Sequence, residues 1–217
     1  MDGYLLMNIG TPSEPTIKGV RKYLKEFLSD PDVIDTNRFL RWAIVNLIVT
    51  PLRPRRVLPQ YKSIWMDQGS PLLVHSQNFA EKLRGFLGTS PVEVGMRYGA
   101  PSIADGIDKL ADAGATRIIL CPMFPQYAQA TTGSCINKAQ EEVLSRGLDY
   151  GSISDFYNEE FYIDCLVDKI RDSAAYQNAE VLLFSFHGLP ERQVKRLDQS
   201  GEYCIFNPLC CDKKSEY

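Results

Sequence analysis

His187 is one of two histidines, and it stands in Ser185-Phe186-His187-Gly188-Leu189-Pro190, directly after the apolar run Val181 to Phe186. An imidazole carried at the end of such a run can take a proton near neutral pH or ligate a metal, and Gly188 beside it lets a ligand come close. A histidine that is only structural is the competing reading. His75, after Pro71-Leu72-Leu73, falls at a helix start and reads as surface or capping material. Of six cysteines, Cys204, Cys210 and Cys211 crowd into the final fourteen residues. Six are too sparse for a disulfide scaffold in a chain of 217 residues, so these thiols need another account. Cys121, Cys135 and Cys165 show no partner pattern and read as core or helix residues.

Positive charge is concentrated between Thr36 and Met66, which holds Arg38, Arg41, Arg53, Arg55, Arg56 and Lys62 and no Asp or Glu. The same window carries Phe39, Trp42, Tyr61, Trp65 and the apolar run 43–49. A stretch both apolar and cationic suits a flat amphiphile with carboxylates at its edge, or an anionic membrane surface. A core helix followed by an Arg-rich loop fits the window equally. The net charge of −3 and pI near 5.5 give no electrostatic footprint for nucleic acid. G-x-G-x-x-G, G-x-x-x-x-G-K-[ST] and G-x-S-x-G do not occur, which argues against dinucleotide, NTP and α/β-hydrolase chemistry.

The elements that must position these groups alternate between short β-branched or apolar runs and longer amphipathic stretches, the pattern of βαβ units and a parallel sheet. Strands are expected at Tyr4 to Ile9, Val92 to Tyr98, Arg117 to Met123, Ser152 to Phe156 and Val181 to Phe186. Helices are expected from Ile17 to Leu28 and at 73–87, 101–113, 134–146 and 158–173. Ligands of open parallel sheets bind beyond the carboxyl ends of the strands. Four such ends carry unusual residues: Asn8-Ile9-Gly10-Thr11-Pro12, Met96-Arg97-Tyr98-Gly99, Pro122 to Tyr127, and His187 to Pro190. The hydroxyls of Thr131, Thr132 and Ser134 read as caps of a helix start. A composition shift at 147–151 divides the chain into 1–150 and 151–217. The start lacks a secretory signal, and no apolar run reaches the ~20 residues of a bilayer span, so a cytoplasmic location is expected, with room for surface contact through 39–56.

Five strings, LLMNIGTP (5–12), QYKSIWMDQGSPL (60–72), MRYGAPS (96–102), PMFPQYAQATTGS (122–134) and LLFSFHGLP (182–190), resemble in order those of the bacterial-type ferrochelatase family. Members of that family insert Fe²⁺ into protoporphyrin IX, the last step of haem synthesis. The resemblance implies chelatase-like, Rossmann-like α/β domains with four-stranded parallel sheets: a first domain at 1–150, and an incomplete second at 151–217. It implies that His187 meets Fe²⁺ and takes pyrrole protons. Ile9, Tyr61, Ser70, Arg97, Tyr98 and Tyr127 would face the porphyrin, and Arg55 and Arg56 would lie in the basic segment near its propionates. Cys204, Cys210 and Cys211 resemble part of the cysteine insertion of members with a [2Fe–2S] cluster; bystander thiols or a zinc site are the other readings. The family's essential glutamate lies in its second half, so the chain is expected to be an N-terminal portion that does not by itself insert iron. A related chelatase for another tetrapyrrole and a non-catalytic tetrapyrrole-binding module are the alternatives; Gln68 to Leu72 and Pro125-Gln126-Tyr127 favour the protohaem type.

Overall fold

The first strand, β1 (Asp2–Gly10), is apolar on both faces, as a strand covered by helices on either side must be. Leu5 and Met7 enter one core cluster and Leu6 another, the period-two alternation of a strand. The computed structural model describes residues 1–198, 204, 209 and 210, with the backbone alone at 197. Along it follow α1 (Ile17–Ser29), α2 (Arg38–Ala43), α3 (Thr50–Ile64), α4 (Pro71–Leu87), β2 (Val92–Tyr98), α5 (Ile103–Asp112), β3 (Arg117–Pro122), α6 (Ser134–Ser145) and β4 (Asp149–Ser152). Beyond these lie α7 (Glu160–Arg171), α8 (Ala174–Gln177) and α9 (Glu191–Leu197). The strands form one four-stranded parallel sheet in the order β2-β1-β3-β4. This is the expected α/β class.

Helices cover the sheet because their apolar stripes match its faces. Ile103, Ile107 and Leu110 of α5 and Cys135, Ala139 and Val143 of α6 close over Leu5, Met7, Ile118 and Leu120. Ala80 of α4 packs with Leu6, Val92, Val94 and Met96. A third cluster joins Val20 and Leu24 of α1 to Val45, Val49 and Tyr98. Thr16 caps α1 by accepting the Gly19 N–H at 3.1 Å, and Ser102 and Asp105 form a reciprocal capping box on α5. Gly10 ends β1 at φ +107°, and a Cβ there would stand 1.8 Å from the Tyr98 carbonyl oxygen. Only glycine lets β1 and β2 end that close together.

The expectations for β1, β2, β3, α1 and α4 to α7 hold to within a few residues. The strand expected at Ser152 to Phe156 is instead β4 at Asp149–Ser152, because Arg117 to Leu120 of β3 pair with residues 149 to 152. Val181 to Phe186 forms no strand. Residues 181–190 are in neither helix nor strand, are exposed and have no ladder partner among the described residues, and a strand that lacks a neighbour leaves its N–H and C=O groups to water. The strand expected to carry His187 at its end is therefore corrected. Between Arg38 and Ile64 the chain stays helical, passing from α2 through the π-helical turn Ile44–Val49 into α3, with Pro54 and Pro59 inside α3. The Arg-rich stretch is thus helix, not loop.

The chain divides into two compact units, residues 1–157 and 158–217. The first holds the sheet. The second holds α7, α8, the stretch 181–190 and α9.

Candidate functional site

Parallel register puts the ends of β1, β2 and β3 at one edge, since Gly10 faces Tyr98 and Met7 faces both Gly95 and Pro122. Three of the four expected strand ends therefore converge. The fourth, His187, belongs to the second unit, where it is exposed.

At the β2 end, Arg97 and Tyr98 meet Asp30, the C-cap of α1, and Ser134, the first residue of α6. Tyr98 Oη donates to Asp30 Oδ2 at 2.7 Å, and Ser134 Oγ donates to the same oxygen at 3.2 Å. The Arg97 guanidinium completes the set with an ion pair to Asp30. Its Nε–H donates to Ser134 Oγ at 2.8 Å and to the Ser134 carbonyl at 3.1 Å. One carboxylate thus anchors a cation and two hydroxyls, a fully satisfied polar cluster next to a core. Tyr98 is 1% exposed, tilted against Phe27 with ring centroids 5.2 Å apart. Burial pushes its hydroxyl well above the ordinary phenol range. Tyr98 is buried at the base of this cluster, and Arg97, half-buried over its ring at 4.7 Å, is the more accessible of the two. A groove of about 420 Å³ opens here, lined by Asp30, Asp32, Arg97, Ser134, Lys138 and Glu141 among others.

At the β1 end, half-buried Ile9 and Tyr61 pack on the cluster that holds Tyr98, Val45 and Val49. A second groove, about 400 Å³, runs along α3 between Leu24, Arg53, Val57, Gln60, Tyr61 and Ile64. Burial also raises the Tyr61 phenol. Arg55 and Arg56 are exposed on α3. Ser70, at the N-cap position of α4, is buried and bonded to Thr11 of the turn after β1, the two oxygens 2.7 Å apart.

At the β3 end, Tyr127 Oη donates to Gln129 Oε1 at 3.0 Å, and Gln129 Nε2 donates to Asp32 Oδ1 at 3.1 Å. The stretch 129–133 forms a π-helical turn in which the Thr132 hydroxyl is buried and lacks a hydrogen-bond partner among the described residues. The expected cap at this helix start is not made by Thr132. Cys204 and Cys210 are half-buried, and Cys211 lies outside the described residues. Among the described residues no three His, Cys, Asp or Glu side chains converge as metal ligands.

Sequence reasoning named Ile9, Tyr61, Ser70, Arg97, Tyr98 and Tyr127 as candidates and missed Asp30, Ser134 and Thr11 as hydrogen-bond partners of Arg97, Tyr98 and Ser70. Asp30 stands in Ser29-Asp30-Pro31, which signals only a helix stop, and its partners lie 67 to 104 residues away. No local pattern announces such contacts.

An open parallel sheet flanked by helices, with an anchored Arg-Tyr pair and a groove at its carboxyl edge, defines the chain as an α/β protein whose ligands, by the rule for such sheets, bind beyond the strand ends. A sequence profile of the family described as Ferrochelatase matches residues 1–206, and the chain belongs to that family. It is 42% identical over 193 residues to a ferrochelatase of Coxiella burnetii (strain Dugway 5J108-111), covering 88% of this chain and 54% of that protein. It is 41% identical over 213 residues to a ferrochelatase of Pseudomonas fluorescens (strain Pf0-1), covering 97% of this chain and 62% of the relative. A ferrochelatase of Ectopseudomonas mendocina (strain ymp) is 41% identical over 209 residues, 95% of this chain and 61% of its own. The chain spans between half and two thirds of the length of these curated relatives.

Proposed function

We propose that this chain is the porphyrin-facing portion of a ferrochelatase, a lyase-class metal chelatase that inserts Fe²⁺ into protoporphyrin IX. The observation that carries the reading is the family match across 1–206 joined to the convergence of three strand ends at one edge. In this reading 1–150 and 151–217 belong to two successive α/β domains. Ile9 and Tyr61 offer an apolar and aromatic seat to the flat ring. Arg55 and Arg56, exposed on α3, and the hydroxyl of Ser70 meet the propionates, and Arg97 and Tyr127 close the β2 and β3 ends.

Insertion requires loss of two pyrrole protons and entry of Fe²⁺ along the ring normal. A planar ring presents its nitrogen lone pairs poorly, so a seat that favours a bent ring lowers the barrier. His187 is the base: an imidazole nitrogen accepts one pyrrole proton as the metal arrives, and the second leaves to solvent water. The test is anaerobic turnover of protoporphyrin IX and Fe²⁺ by the whole protein, read as protohaem absorbance. His187→Ala is expected to lower kcat about 10²- to 10⁴-fold with porphyrin affinity kept. Stoichiometric binding without metallation by the whole protein would leave a carrier and defeat the reading.

Two finer readings accompany it. Phe39, 78% exposed, joins exposed Trp42, Leu47, Ile48 and Leu52 and the cations Arg38, Arg53, Arg55 and Arg56, which suits peripheral contact with an anionic membrane from a cytoplasmic location. No described helix is long and apolar enough to cross a bilayer. Flotation with anionic vesicles, lost in Trp42→Glu and at high salt, checks the contact. The likeness of Cys204, Cys210 and Cys211 to the family's cysteine insertion supports a [2Fe–2S] cluster held by thiolates; among the described residues no ligand set is formed, and no step of insertion runs through it. Visible absorbance with iron and sulfide assays on anaerobically purified whole protein decides that reading.

A further inference from the structure

We infer that Thr11 is a positioning residue for a carboxylate of the bound ligand, acting through Ser70. The inference rests on the porphyrin reading and names a partner that the reading does not assign. Thr11 and Ser70 lie 59 residues apart in sequence and are each 6% exposed. Thr11 Oγ1 donates its proton to Ser70 Oγ at 2.7 Å. A serine at the N-cap position ordinarily turns its oxygen toward an N–H of the first helical turn. Ser70 makes no such cap bond; the one hydrogen bond of its side chain among the described residues comes from Thr11.

A hydroxyl that accepts one hydrogen bond still holds its own proton to give. Among the described residues the Ser70 side chain makes no second hydrogen bond. Acceptance from Thr11 polarises the Ser70 O–H and makes it a better donor. The natural acceptor for such a donor is a carboxylate oxygen, which forms short, charge-assisted O–H···O⁻ bonds. Thr11 thus fixes the rotamer of Ser70 and leaves its single proton to be given to the ligand, and it needs no contact with the ligand itself.

The experiment compares the affinity of the purified chain for protoporphyrin IX, a dicarboxylate, with that for its dimethyl ester, which has no carboxylate, by fluorescence titration. Thr11→Val removes the donor and keeps the shape; Thr11→Ser keeps the donor; Ser70→Ala removes the relay. The wild-type chain is expected to prefer the diacid. Thr11→Val should weaken diacid binding about threefold to tenfold and leave the ester unchanged, Thr11→Ser should restore it, and Thr11→Val should add nothing on a Ser70→Ala background. Circular dichroism melts confirm that each variant folds, and Thr11→Ala replaces Thr11→Val should the latter not fold. Equal weakening of diacid and ester, additivity with Ser70→Ala, or no effect of Thr11→Val on a chain that binds the diacid would overturn the role of Thr11 alone. A wild-type chain that binds neither compound would overturn the porphyrin reading and this inference with it.

Discussion

Asp30 holds more of the site in place than any residue that faces outward. Its carboxylate receives Arg97, Tyr98 and Ser134 from a nearly closed position, so its removal strands a guanidinium and two hydroxyls. Breaking a buried pair from one side costs about 3–5 kcal/mol. Asp30→Ala is expected to lower stability by that amount in urea unfolding, and Asp30→Asn, which still accepts hydrogen bonds, by less. Nothing in Leu28-Ser29-Asp30-Pro31 distinguishes this aspartate from a turn residue. Arg97 was legible because an arginine at the end of an apolar strand is conspicuous; its counterion was not, because the pairing is made by the tertiary fold. The cysteines offer a second check at this scale. Burial pushes the Cys135 thiol up to about 12 and Cys121 up to about 11, whereas Cys165 is exposed. Alkylation at pH 8 followed by mass spectrometry should label Cys165 first and Cys135 only after unfolding.

At the level of elements, the capping box of α5 links sequence to a pH effect. The Ser102 backbone N–H holds the Asp105 carboxyl below its ordinary 3.8, helped by the Ser102 hydroxyl. A carboxyl with a lowered folded pKa contributes stability that is present above the ordinary value and is lost as pH falls through the folded one. Ser102→Ala should cost about 1 kcal/mol, and should raise the Asp105 carboxyl only in part, as followed by NMR, because the Ser102 backbone N–H that lowers it most is kept. The boundaries of β1 to β3 were readable because strands buried on both faces are nearly continuous apolar runs. β4 was misplaced because Asp149-Tyr150-Gly151-Ser152 is an edge strand with little apolar content, set by pairing with β3 and not by its own composition. The run from Val181 to Phe186 reads as a strand for the opposite reason: its composition is ideal, and what it lacks is a neighbour.

For the molecule as a whole, the contrast between the sheet-bearing unit and the exposed stretch 181–190 of the second sets local stability. Leu183 is 87% exposed, and Val181, Phe184 and Phe186 are also well exposed on backbone with no ladder bonds. Limited chymotrypsin digestion should nick after Phe184 and Phe186 before any bond within 1–157 is cut, leaving a resistant core visible by intact mass. The strand order has a further consequence for how this core comes into being. β1 is made first yet lies between β2 and β3, so residues 4 to 10 find no edge to join until 92–98 and 117–122 exist. On a ribosome the opening apolar segment therefore emerges long before its neighbours are synthesised. Shielding it during that interval falls to chaperones, and a slow stretch of translation would prolong the exposure of this segment more than that of any other strand.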